Sequence, residues 1–150
     1  MKPFQTIAIC AAMGLLASFS QVAHAAEPAG YVKTVGGEAT VTSAGKTVAA
    51  SAGAPLVAGD VIKTGPGGSL GVTLRDNTLM SFGPSTSFTL EDYLFAPAKG
   101  DLKLGGKIAS GTLHYVSGSI AHLKPDAVAI KTPTGIIGVR GTRFVVVVEE

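Results

Sequence analysis

The stretch that decides the fold class is Ser69-Leu70-Gly71-Val72-Thr73-Leu74-Arg75-Asp76-Asn77-Thr78-Leu79-Met80-Ser81-Phe82. Leu70, Val72 and Leu74 stand two apart, with Ser69, Gly71, Thr73 and Arg75 between them. A period of two places the apolar residues on one face of a strand and the polar ones on the other. Asp76-Asn77 is a tight-turn pair, because both residues tolerate left-handed backbone and bond locally to it. Thr78 to Phe82 then pairs back, and Gly83-Pro84 turns the chain again. The unit is a strand, a turn and a returning strand.

The same period extends in both directions. Upstream, Ala39 and Val41 alternate with Thr40 and Thr42, Ser43-Ala44-Gly45-Lys46 is a turn, and Thr47-Val48 begins a return strand. Pro55 to Thr64 reads as a loop and a short strand around Gly59-Asp60, ended by Gly65-Pro66-Gly67-Gly68. Downstream, Phe88 and Leu90 share one strand face, and Glu91 to Gly100 reads as an ordered connection. Leu102, Leu104 and Ile108 belong to a strand region broken by Gly105-Gly106, and Leu113 and Tyr115 share the next face. Val116-Ser117-Gly118-Ser119 reads as a turn, and Val128 and Ile130 form a further apolar pair. Phe144-Val145-Val146-Val147-Val148 does not alternate, which predicts a central strand buried on both faces that completes the protein's own sheet. The same strand at an edge would invite pairing with another chain. The expected fold is all-β: one antiparallel β-sandwich or jelly-roll-like domain, with a rolled or β-solenoid arrangement as the alternative.

Composition agrees. The chain has 150 residues, 46% hydrophobic and 15% charged, with 20 Gly and 8 Pro, a turn-rich globular profile. Met1-Lys2, the apolar run Ile7 to Phe19 and Ala23-His24-Ala25 fit a cleavable export signal. The expected division is therefore a signal at 1–25, cleaved after Ala25, and an all-β domain at 26–150. A periplasmic or secreted location follows, with no membrane span after cleavage. Cys10, the one cysteine, lies inside the signal, so the domain has neither disulfide nor thiol chemistry. Ile9 before it reads against a lipoprotein signal, which requires a small residue there. Without Lys2, 11 Lys and Arg face 10 Asp and Glu with no basic stripe, which excludes nucleic-acid binding driven by phosphate neutralisation.

The candidate chemical residues fall to simpler readings. His114 lies opposite Leu113 and Tyr115 on a strand, where a solvated face accounts for it. His122 and Asp126 are separated by Pro125, which argues against a helix; in an extended chain they stand too far apart to share a metal. Gly67-Gly68-Ser69-Leu70-Gly71 matches a nucleophile elbow, but the following residues alternate as a strand. Adjacent Glu91-Asp92 would face opposite ways on a strand, so they form no acid and base pair. Asp60, Asp76 and Asn77 are spaced unlike a calcium loop and fit turns bonded to their own backbone. No catalytic residue, cofactor or metal is expected. Arg140 and Arg143 remain. One guanidinium is expected to fork onto Asp60 or Asp76 and tie two loops; the alternative is a partner's carboxylate or a glycan.

Two segments together resemble the FecR domain of bacterial envelope proteins. The first is Leu56-Val57-Ala58-Gly59-Asp60-Val61-Ile62-Lys63-Thr64-Gly65, with Ser69-Leu70-Gly71-Val72-Thr73-Leu74-Arg75-Asp76-Asn77-Thr78 after it. The second runs from Val128-Ala129-Ile130-Lys131-Thr132-Pro133-Thr134-Gly135 through Ile136-Ile137-Gly138-Val139-Arg140-Gly141-Thr142-Arg143-Phe144. The resemblance implies an all-β periplasmic module. In the family's sensors such a module receives a signal from an outer-membrane receptor and passes it through one membrane span to a sigma factor. This chain opens instead on a cleavable signal, so the resemblance implies the module rather than the circuit. The expected function is a non-enzymatic module binding another envelope protein in signalling or assembly. Glycan or peptidoglycan binding is the alternative.

Overall fold

A computed structural model describes residues 27–149; the expected export signal lies outside them. The described chain forms β1 (Gly30–Gly36), β2 (Ala39–Ser43), β3 (Lys46–Ala49), β4 (Pro55–Leu56), β5 (Val61–Thr64) and β6 (Ser69–Leu74). It continues with β7 (Leu79–Phe82), β8 (Ser87–Ala96), β9 (Asp101–Val116), α1 (Ser119–Leu123), β10 (Val128–Thr132), β11 (Gly135–Gly138) and β12 (Arg143–Val148). The fold is all-β. Strands follow the order β3-β2-β5-β8-β9-β7-β6-β1-β4, with β10 and β12 also on β9, and β11 on β10.

β9 organises this sheet. Its first part pairs with β8 on one side and β10 on the other; Leu104, for example, lies between Tyr93 and Val128. Its last part pairs with β7 and β12, so Tyr115 lies between Met80 and Phe144. The sheet curls along β9 and encloses one apolar core. Phe82 of β7 and Phe88 of β8 meet inside it with ring centroids 5.0 Å apart. Burying each such side chain contributes about 1.5–3 kcal/mol.

The opening stretch folds as its period requires: Leu70, Val72 and Leu74 are buried, and β6 pairs back onto β7. Three expectations fail for identifiable reasons. First, β8 runs through Glu91 to Ala96, and only Pro97–Lys99 form a 3₁₀ turn before β9. Second, β9 is unbroken at Gly105-Gly106. A Cβ at Gly106 would strike the Phe88 ring, so this glycine makes room for a neighbour rather than ending a strand. Third, Phe144 to Val148 is not a central strand. β12 pairs with β9 alone, with Phe144 and Val146 turned toward the core and Val145 and Val147 outward. Valine at the outward positions hides the alternation in the sequence.

α1 begins at Ser119, where the expected turn Val116–Ser119 ends, and buries Ile120 and Ala121. The connection through α1 carries the chain across so that β10 lies parallel to β9, in an otherwise antiparallel arrangement. Gly111, at a φ of +92°, sits where β9 passes from one part of the sheet to the other. Thr86, through its Oγ1, Cα and Cβ, occupies the space a side chain there would need. Thr86 Oγ1 accepts from the Thr112 amide at 3.0 Å and donates to the Gly83 carbonyl at 2.8 Å, pinning the passage.

Candidate functional site

Asp76 is 0% exposed in the turn between β6 and β7, and Asn77 beside it has the left-handed φ of 66°. Its carboxylate accepts from Thr78 Oγ1 at 2.7 Å, the Thr78 amide at 3.2 Å, the Tyr93 hydroxyl at 3.0 Å and the Ile120 amide at 3.1 Å. Its backbone also takes part: the Asp76 amide donates to Tyr93 Oη at 3.0 Å, and its carbonyl accepts from Ser119 at 2.8 Å. One residue thus joins its own turn, β8 and the first turn of α1. Burial and the neighbouring Asp76 push the Tyr93 hydroxyl above the usual tyrosine range. Arg75 lies over the Tyr93 ring at 5.6 Å and pairs with Glu27 at 2.7 Å.

Asp60 is also buried. Its Oδ2 accepts from the Val57 amide at 2.9 Å, and its own amide donates back to the Val57 carbonyl. Both aspartates therefore serve turns. Among the described residues the ion pairs are Arg75–Glu27, Lys103–Asp92 and Lys131–Glu91, and none takes Arg140 or Arg143. The loops are tied at Asp76 by hydroxyls and amides rather than by a guanidinium. Backbone donors reach a carboxylate inside a tight turn without bringing a second charge out of water.

Arg140 and Arg143 lie elsewhere and are exposed. Buried Val139 anchors the segment between β11 and β12, and Ser117 holds it further. The Ser117 amide donates to the Thr142 carbonyl at 2.8 Å, and its Oγ to the Gly141 carbonyl at 2.7 Å. Arg140 and Thr142 form one wall of a groove; His122, Pro125 and Asp126 form the other. His122 and Asp126 both line this groove, although among the described residues nothing joins them as metal ligands. α1 and the 3₁₀ turn Pro125–Ala127 fold compactly over the interval that an extended chain would stretch out. Among the described residues no group of three or more His, Asp or Glu side chains gathers as metal ligands. Arg143 opens β12, opposite Val116.

Glu91 and Asp92 correct another expectation. The β8–β9 register slips between Leu90 and Asp92, and this bulge turns both carboxylates outward. Lys131 meets Glu91 at 2.9 Å and Lys103 meets Asp92 at 3.3 Å; the Glu91 hydrogen bond and charge raise the Lys131 pKa. His114 stands on the solvent face, and Ser69 begins β6 with no helix after it.

The family model for the FecR protein matches residues 60–150. The chain belongs to the FecR family. FecR proteins are regulatory and associated with the bacterial envelope. No curated protein and no solved structure matches the chain. The FecR match begins at Asp60 and takes in β5 to β12, the Asp76 knot and the Arg140 groove. β1 to β4 precede it, yet β1 is bonded to β6 and β2 to β5. Among the described residues no helix is long and apolar enough to cross a membrane.

Spacing could not have found Tyr93, whose link to Asp76 spans 17 positions and depends on β8 crossing the turn. The two glycines flanking Arg140 were a usable sign of an exposed, shaped segment.

Proposed function

We propose that residues 26–150 act as one exported, non-enzymatic FecR-like module, and that the groove at Arg140 receives an acidic surface of another envelope protein. Arg140 carries the reading: it is an exposed guanidinium without an ion-pair partner among the described residues, on a segment fixed by Val139 and Ser117. A fixed arginine offers a carboxylate two parallel hydrogen bonds at little cost in side-chain ordering. His122 adds a second donor on the opposite wall. The non-enzymatic reading draws support from the family's regulatory character and from Asp60 and Asp76, whose buried carboxylates are committed to turns. An N-terminal signal cleaved after Ala25 would deliver the module to the periplasm.

Crosslinking the tagged protein in its host and comparing it with Arg140→Glu tests the reading. An envelope protein enriched by the native chain and lost with Arg140→Glu is the expected result. No enriched partner, or one indifferent to the substitution, defeats it. Retention on purified sacculi by the native chain, with no protein partner, would move the function to glycan binding.

A further inference from the structure

We propose that β12 is a self-association strand: two copies of the chain pair antiparallel through it, about a two-fold axis at Val146. This goes beyond the Arg140 groove and does not depend on it.

Among the described residues β12 is bonded to β9 on one side only, so its other edge offers unpaired backbone groups. The Ser117 amide donates to the Thr142 carbonyl, which fixes the ladder's phase. By antiparallel alternation, Phe144, Val146 and Val148 direct their backbone groups toward β9, and Arg143, Val145 and Val147 direct theirs to the open edge. Val145 and Val147 are 53% and 63% exposed, on the outer face with Arg143 and Glu149. Beside the strand's far half runs a groove walled by Ile136 and Ile137 on one side and Val146 to Glu149 on the other. Ile136 is 68% exposed there.

The occupant follows from the order of residues along the edge. Arg143-Phe144-Val145-Val146-Val147-Val148-Glu149 has a cation at one end, a carboxylate at the other and β-branched residues between. Laid antiparallel on itself about Val146, it sets Arg143 against Glu149 of the copy and Val145 against Val147. Both pairs join residues whose backbone groups already point outward, so the same register satisfies hydrogen bonding, charge and apolar contact. A register centred on Val145 would keep the hydrogen bonds but set Arg143 against Val147. Such a two-fold contact is closed, because each strand's edge is used once. It would join the two sheets into one through a β9–β12–β12–β9 centre.

Sedimentation equilibrium on protein purified after expression of the full chain tests the proposal. The native chain should be a reversible dimer. Arg143→Glu and Glu149→Arg should each raise its dissociation constant about tenfold, since each places like charges opposite one another twice. Mixing these two variants should restore association, because their heterodimer again sets opposite charges together at both sites. The double variant Arg143→Glu/Glu149→Arg should dimerise like the native chain. A native chain that stays monomeric, a dimer indifferent to the single reversals, or a mixture no tighter than its components each overturns the proposal. Both positions are exposed, and circular dichroism of each variant confirms that the fold is intact.

Discussion

The turn at Asp76 and the edge at β12 lie on opposite sides of β9 and treat backbone polarity in opposite ways. At Asp76, amides of the turn and of α1 converge on one buried carboxylate. At β12, the outward amides and carbonyls have no partner in the described chain, and the side chains beside them are apolar. A buried polar group that lost its partners would cost more than the hydrogen bonds themselves contribute. The first region therefore holds the fold, whereas the second is free to make contacts.

The largest effect expected to break this contrast is Asp76→Ala. It strands the Thr78 and Ile120 amides and two hydroxyls and should lower stability by about 4 kcal/mol. Urea unfolding checks this, and a loss below about 1 kcal/mol would mean that the turn is not a structural centre. Asp76→Asn should cost less, since one side-chain oxygen still accepts. Thr86→Val leaves the Thr112 amide unpartnered and should cost about 2 kcal/mol in the same measurement.

Tyr115 touches both regions, pairing with Met80 on one side and stacking on Phe144 of β12 at 4.7 Å. Among the described residues its buried hydroxyl has no hydrogen-bond partner in good geometry, and burial, with the Asp76 charge and against the nearby Thr78 and Ser117 hydroxyls, pushes its pKa up to about 12. The unfolded tyrosine ionises near 10, so the folded state holds the proton longer. Stability from this group is full below pH 10 and falls as pH rises toward 12. Alkaline unfolding of Tyr115→Phe should lack roughly 2 kcal/mol of that fall, with little change at neutral pH. An unchanged alkaline slope would show that the hydroxyl is solvated.

The smallest effect should come from Val145→Thr/Val147→Thr, within about 0.5 kcal/mol for the monomer, because both side chains already face water. Hydrogen exchange at low protein concentration sharpens the contrast further. The Val145 and Val147 amides should exchange quickly, and those of Phe144, Thr78 and Ile120 slowly. Equal protection along β12 would mean that its outer edge is covered.

The contrast was half legible in the sequence. Leu70, Val72, Leu74 and the Asp76-Asn77 turn could be read residue by residue, because one buried face enforces a period of two. The family could be read from the segments around Asp60 and Arg140. Three particulars could not. The valines of β12 fill both faces, so the sequence does not distinguish an edge strand from a central one. Gly105-Gly106 looks the same whether it ends a strand or admits the Phe88 ring. The Asp76 tie reaches across 44 positions to Ile120, a distance at which spacing says nothing. The expected Arg140 or Arg143 tie to Asp60 or Asp76 is absent among the described residues: those carboxylates are held by Val57, Thr78, Tyr93 and Ile120, and both arginines stay at the surface.

β9 joins parts of the sheet that the other strands leave apart. β7 and β8 precede it, but each needs β9 as a neighbour, and Leu104, Ile108, Leu113 and Tyr115 reach the core only when it arrives. β8 reaches β9 through a short hairpin, whereas the β7–β9 pairing must close a long loop before it gains contacts. A chain without Asp101–Val116 would lack the strand that joins β7 to β8 and the four core side chains it carries. The sixteen residues of β9 are thus the one span that makes a single sheet out of strands that otherwise fall into two groups.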